Sequence, residues 1–193
     1  SSPATTAAAG SRDNTPVVLT GSADGTVTYG NDSVTVDASH TEEGYLMVSY
    51  SGSNSKVKLQ ITGSDEITYT YNLHDGYETF PLTSGSGSYT VGVFENIEGT
   101  SYSTLFTQAI DVTIQDEFGP YLYANQYVNF SADSKVISKA MELSASANDD
   151  LEVIENVYNY IITNFTYDYD KAASVQSGYL PDVDDVLASQ TGI

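Results

Sequence analysis

An antiparallel β-sandwich followed by a small helical segment is the fold class that this 193-residue sequence predicts, and three observations predict it. Between Pro16 and about Gln115, apolar and polar residues alternate with period two, as on strands that have one buried and one wet face. Turn signals built from Gly, Asn and Asp interrupt that alternation roughly every ten residues. After Gly119-Pro120 the apolar spacing changes to that of helices packed through one face.

Taken in order, residues 1–15 are small and polar with no periodicity, so they cannot bury enough surface to offset the entropy of ordering them. They read either as a tether holding an exported domain off a cell envelope or as a plain disordered tail. Residues 16–118 form the expected sandwich. Its strands are Ser33 to Asp37, Leu46 to Tyr50, Val57 to Ile61, Ile67 to Tyr71, Tyr89 to Val93, and a last strand from Ser103 to Gln115. Between them lie turn signals at Asp24-Gly25, Gly30-Asn31-Asp32, Ser51 to Asn54, Gly63-Ser64-Asp65, Asp75-Gly76, Ser84 to Gly87 and Glu98-Gly99.

Residues 119–193 are the helical part. A first helix is expected from Ser131 to Ala147, capped by Ser131 or Asp133, and a second from Leu151 to Phe165, capped by Asp149 or Asp150. In the second, Leu151, Ile154, Tyr158, Ile161 and Phe165 make one stripe and Val153, Val157 and Tyr160 another, so it needs cover on most sides. A short helix with Val183, Val186 and Leu187 inward closes the chain.

Two resemblances sharpen this outline. Gly87-Ser88-Tyr89-Thr90-Val91 resembles the corner of immunoglobulin-like and fibronectin-like sandwiches, where a Tyr two residues before an inward position bonds back to the backbone. The alternative is a surface Tyr in an ordinary hairpin. With neither Cys nor Trp the chain departs from the antibody pattern, so the resemblance implies the architecture only. The second covers Leu151 to Ile193, with a looser extension back to about Ser131. Tyr167-Asp168-Tyr169-Asp170 follows the apolar helix, and Asp182-Val183-Asp184-Asp185-Val186-Leu187 precedes Thr191-Gly192-Ile193. This order resembles the opening of a bacterial transglutaminase-like domain, in which a Gly and an apolar residue lead into the catalytic Cys.

That second resemblance implies that residues 119–193 are an incomplete transglutaminase-like domain, stopping just short of the nucleophile. A Cys at a helix N-terminus is favoured as thiolate, and a His completes the pair. This chain has no Cys, and its two His, His40 and His74, lie in the strand region, so it is expected to be catalytically inactive. Its intact parent would carry out acyl transfer or amide hydrolysis through a Cys-His-Asp site, on protein or peptide substrates including peptidoglycan peptides. Tyr167, Asp168, Gly192 and Ile193 are the supporting positions that the resemblance assigns beside the absent nucleophile. For Tyr167 and Asp168 the competing reading is a packed core Tyr and a helix C-cap.

Six Lys and Arg stand against 26 Asp and Glu, a formal charge of -20 that repels phosphate backbones and anionic lipid, so nucleic acid and membrane-surface partners are not expected. No apolar run approaches a membrane span. Asp182, Asp184 and Asp185 lack the Gly and distal Glu of a Ca2+ loop, and two distant His make no metal site; no metal or cofactor is expected. The tether composition favours an exported, cell-surface or extracellular protein. An incomplete helical core should expose apolar surface, which a homodimer would hide. The other function class is a non-catalytic adhesion module, an immunoglobulin-like sandwich whose Tyr69, Tyr71 and Tyr102 stack on sugars or peptides.

Overall fold

The computed structural model describes residues 8–193, which separate into two compact units. One is continuous, Leu19–Gln126; the other joins the start of the chain, up to Val18, to Tyr127–Ile193.

The continuous unit is an antiparallel β-sandwich. Its strands are β1 (Thr28–Gly30), β2 (Val34–Asp37), β3 (Tyr45–Tyr50), β4 (Val57–Thr62), β5 (Thr68–Leu73), β6 (Gly76–Pro81), β7 (Gly87–Glu98) and β8 (Ser101–Val112). They form two four-stranded sheets in the orders β1-β2-β3-β6 and β5-β4-β7-β8. The chain crosses between sheets after β3, β5 and β6, so strands adjacent in sequence are shared between layers. Alternation sets the burial: on β4, Val57, Leu59 and Ile61 point inward while Lys58, Gln60 and Thr62 are half-buried on the other face. Val36, Leu46, Val48, Phe80 and Leu82 meet Leu59, Val91 and Val93 in a core where all eight are fully buried.

The expected strands are present, with two additions and one change of length. β1 and β6 carry no period-two signal of their own. β6 buries only Phe80 fully, and its pairing of Leu46 with Phe80 recruits it to β3. β7 extends past Val93 to Glu98 and turns at Gly99-Thr100 into β8, with Gly99 at φ 56, a conformation that a residue lacking Cβ adopts without strain. At the other end of β7 the Tyr89 hydroxyl donates to the Gly85 carbonyl at 2.7 Å, and its ring is fully buried. This is the corner geometry expected from Gly87 to Val91. Burial, outweighing the polar groups beside it, pushes the Tyr89 hydroxyl above the usual phenol range.

The second unit contains α1 (Lys135–Ser144), α2 (Asp150–Asn164), β9 (Thr166–Tyr167), α3 (Tyr169–Ser174), α4 (Val183–Ser189) and β10 (Thr191–Gly192). α2 starts as expected: Asp149 accepts from the Glu152 amide at 2.9 Å, and Glu152 accepts from the Asn148 amide at 2.8 Å. α1 differs from expectation. It begins at Lys135, and neither Ser131 nor Asp133 caps it. Its first amides, Lys135 N–H and Val136 N–H, donate instead to the two carboxylate oxygens of Asp184, from α4, at 2.9 and 3.0 Å. A carboxylate from a distant segment thus satisfies donors that a local cap would otherwise take.

The segment expected as a tether falls in its first seven residues outside those described. From Gly10 onward it is tied to the helices: Gly10 N–H donates to the Ala145 carbonyl, the Arg12 guanidinium pairs with Asp150, and Asn14 donates to the Ala147 carbonyl. These backbone and side-chain donors find partners at the α1–α2 junction, which composition alone does not reveal. Among the described residues, no helix is long and apolar enough to cross a membrane.

Candidate functional site

Tyr167-Asp168 and Gly192-Ile193 are two pairs separated by more than twenty residues in sequence, and the fold brings them together. α2 ends at Phe165, whose amide still donates to the Ile161 carbonyl, and the chain then extends into β9. α4 ends at Gln190 in the left-handed conformation, φ 54, which turns the chain into β10. β9 and β10 pair in parallel, Thr166 with Thr191 and Tyr167 with Gly192. Two backbone bonds flank the pair: Thr166 N–H donates to the Gln190 carbonyl at 3.0 Å and Asp168 N–H to the Gly192 carbonyl at 2.9 Å.

Within this bridge each side chain has a definite partner. Asp168 is the N-cap of α3, accepting from the Lys171 amide at 2.9 Å. Tyr167 is exposed and meets the Tyr169 ring edge-on, with centroids 4.9 Å apart. Gly192 is half-buried; a Cβ there would touch a Val186 methyl at 3.5 Å, ordinary contact. Ile193 is 43% exposed. The acidic trio is absorbed by capping: Asp182 accepts from the Asp184 and Asp185 amides, and Asp184 caps α1. Among the described residues no group of metal-ligating side chains can hold an ion.

Beside the bridge the helices face one another across an open, almost wholly apolar cavity of about 340 Å³. Val136 and Leu143 of α1, Val157 and Ile161 of α2, and Val186 and Leu187 of α4 line it. On the outward stripe of α2, Leu151, Ile154 and Tyr158 are 71%, 63% and 60% exposed. Among the described residues of this unit only Ser144 and Ala147 are buried. The face that the sequence marks as needing cover therefore has none within the unit.

The sandwich holds a cluster that sequence pattern does not disclose. His40, half-buried, stacks on the Tyr45 ring at 5.3 Å. Its Nε2 lies 2.9 Å from Asp24 Oδ2 and 3.2 Å from the Ser22 hydroxyl, and its Nδ1 lies 3.0 Å from Glu43 Oε2. Behind it Asp37 is buried and accepts from the Gly25 and Ser39 amides at 2.7 and 2.9 Å. The Ser22 hydroxyl and His40 hold the Asp24 carboxyl below the usual carboxylate range. For Asp37, burial pushes upward, but the bonds from Ser39 and Gly25 together with His40 outweigh it and the net is downward. Ser22, His40 and Glu43 superficially make a nucleophile-base-acid line. Asp24 spoils it, because a ring nitrogen that donates to Asp24 has no lone pair with which to accept the Ser22 proton.

His74 is a surface residue whose Nδ1 sits 3.0 Å from Glu78. Of the tyrosines expected on a wet face, Tyr69 is exposed and Tyr102 is half-buried with the Lys58 ammonium over its ring. Tyr71 is buried in the core against Phe80, because its pairing with Leu59 directs it inward.

No protein-family model and no curated protein matches the chain. Among solved structures it is similar to the fibronectin type III domain of the human collagen alpha-1(XX) chain, at 16% identity over 49% of this chain and 92% of that one, with a TM-score of 0.35. The two-sheet architecture of the sandwich rests on its own strand pairing.

Proposed function

We propose that the helical unit is the scaffold half of a transglutaminase-like thiol enzyme, and that the chain as a whole is a non-catalytic N-terminal region of such an exported protein. One observation carries the reading. Helices α1, α2 and α4 and a parallel strand pair are assembled with ordered caps, yet the apolar sides of these helices enclose an open cavity and leave the outward stripe of α2 exposed. A unit with well-specified helix ends and almost no buried apolar side chain needs a further layer to cover it. In the proposed parent that layer is the rest of the domain, and β10 delivers the backbone to the nucleophile beside Tyr167 and Asp168. No residue of this chain acts as nucleophile or base. The parent's chemistry is attack of a thiolate on an amide, release of the amine, and transfer of the resulting acyl group to an amine or to water.

The test is to read and express the encoded continuation after Ile193. The expected result is a Cys at the next position with a His and an Asp further on. The extended protein should then incorporate an amine into glutamine-containing protein or cleave peptide amides, and Cys→Ala should abolish this. A continuation without that Cys, or an extended protein inert toward both substrate types, overturns the proposal. A stop codon or a sorting signal there favours a surface binding module instead.

A further inference from the structure

The sandwich has four outer strands, and three of them carry features that keep an edge from pairing with another chain. β1 is three residues long. β6 ends on Pro81 and sets Glu78 opposite the buried Val48, a charge on its inner face. β8 is bulged at Leu105, and side chains take two of its carbonyls: Asn31 donates to Leu105 at 3.0 Å and Gln108 to Ala109 at 2.7 Å.

β5 has none of these. Thr68-Tyr69-Thr70-Tyr71-Asn72-Leu73 is uncharged, contains no Pro and pairs with β4 without a shift of register. Bonding in an antiparallel pair alternates, and Gly63 N–H donating to the Ile67 carbonyl at 3.1 Å sets the phase: Tyr69, Tyr71 and Leu73 exchange bonds with Ile61, Leu59 and Val57. The amides and carbonyls of Thr68, Thr70 and Asn72 therefore point to the free side of β5. One of these groups is occupied, the Asn72 carbonyl, which accepts from the Gln126 side chain at 2.7 Å. The others have no partner among the described residues. Ile67 and Tyr69, in line with the buried Tyr71 and Leu73, are left 49% and 45% exposed beside this row. Exposed carboxylates flank the strand, Asp65 and Glu66 before it and Asp75 after it. The cation on the neighbouring strand, Lys58, is held over the Tyr102 ring of β8.

We propose that β5 is a docking edge for a foreign extended polypeptide, one with alternate apolar side chains and basic residues at both ends, which adds to the sheet as a fifth strand. Its backbone pairs with the free groups of Thr68, Thr70 and Asn72, and its apolar side chains cover Ile67 and Tyr69. Its basic ends meet Asp65, Glu66 and Asp75, which fixes partner choice and speeds encounter. A second copy of this chain is the poorer occupant. Antiparallel self-pairing sets Asp65 and Glu66 against Asp75 of the other copy at both ends, and parallel pairing stacks each carboxylate on its counterpart.

The test is to titrate the peptide Lys-Lys-Thr-Val-Thr-Val-Thr-Lys-Lys into the full chain and follow amide exchange. Exchange at Thr68, Thr70 and Asn72 should slow while that at Thr107 and Ala109 of β8 does not change, and affinity should fall as salt rises. The same peptide with Glu in place of Lys should not bind. Thr70→Pro removes one outward N–H at an edge where Pro is accommodated, and should weaken binding at least about tenfold; Ala109→Pro on β8 should leave it unchanged. If Thr70→Pro disturbs the sheet, the peptide reports independently: N-methylating its Thr amides or its Val amides should abolish binding in one case and spare it in the other. No binding at about 1 mM peptide, equal binding of the Glu peptide, or equal effects of the two methylations overturns the proposal. Concentration-dependent sedimentation of the chain alone that Thr70→Pro abolishes also overturns it, and gives the edge to a second copy.

Discussion

The two units of this chain use similar residues to different ends. In the sandwich, Val, Leu, Ile and Phe at alternate positions converge from two sheets and disappear from solvent; Phe80, Leu46 and Leu59 are fully buried. In the helical unit, an equally apolar helix, α2, has no buried residue at all. Apolar content is therefore not what decides whether a unit has a core. A sandwich supplies both layers from one chain segment, whereas three helices leave one side of their shared cavity open until a further layer arrives. The polar bonding shows the reverse pattern. The helical unit is fastened by caps, Asp184 reaching from α4 to α1 and Asp168 at the start of α3, so its helices are specified without being enclosed.

That contrast can be broken most directly by paired truncations. Phe80→Ala should cost roughly 3–5 kcal/mol in a denaturant melt, whereas Ile154→Ala should cost less than about 0.5 kcal/mol. Comparable costs would mean that the outward stripe of α2 is covered in solution. If concentration-dependent sedimentation accompanied them, the cover would be a second copy of the chain.

Asp184→Ala removes the acceptor of two α1 amides and should cost about 1 kcal/mol, read as faster exchange across Lys135–Ser144 with the sandwich unaffected. If Asp184→Ala left that exchange unchanged, capping would not be what specifies the helical unit. Tyr89→Phe deletes one buried hydroxyl bond to the Gly85 carbonyl and should lower sandwich stability by about 1 kcal/mol or slightly less, sharpening how much of the closed unit's stability is polar.

The smallest effect is that of acid. Asp24 and Asp37 have folded-state values below their unfolded ones, so their contribution is present above the ordinary carboxylate range and is lost as pH falls through the lowered values. Thermal melts should thus show the sandwich weakening below about pH 4, and Asp37→Asn should flatten that slope. An unchanged slope in Asp37→Asn would remove Asp37 from the account.

Much of the sandwich was legible because period-two alternation is a one-dimensional consequence of having one buried face. Val57 to Ile61 needs no partner to announce itself, and Tyr89 was readable because its corner depends on residues only four apart. β6 was not, since a strand with one fully buried residue is defined by the pairing of Phe80 with Leu46. Of the candidate site, the sequence names four residues but not their arrangement. The sequence does not announce that β9 and β10 pair in parallel, or that Asp168 caps the start of α3 rather than the end of α2. The His40 cluster was invisible for the same reason. Its members come from three separated stretches, and two His among 193 residues carry no pattern.

By itself, then, the sequence determined the periodicities, the turn positions, the second helix with a cap at Asp149 or Asp150, and an acidic charge that disfavours phosphate-bearing partners. The tertiary structure alone decided which carboxylate caps which helix, that residues from Gly10 onward are bonded to the α1–α2 junction, and that His40 lies between Asp24 and Glu43. The division has one physical cause. Backbone geometry and burial periodicity act between neighbours along the chain, whereas a hydrogen bond or an ion pair is indifferent to sequence separation and is fixed only when the fold brings its two ends within about 3 Å.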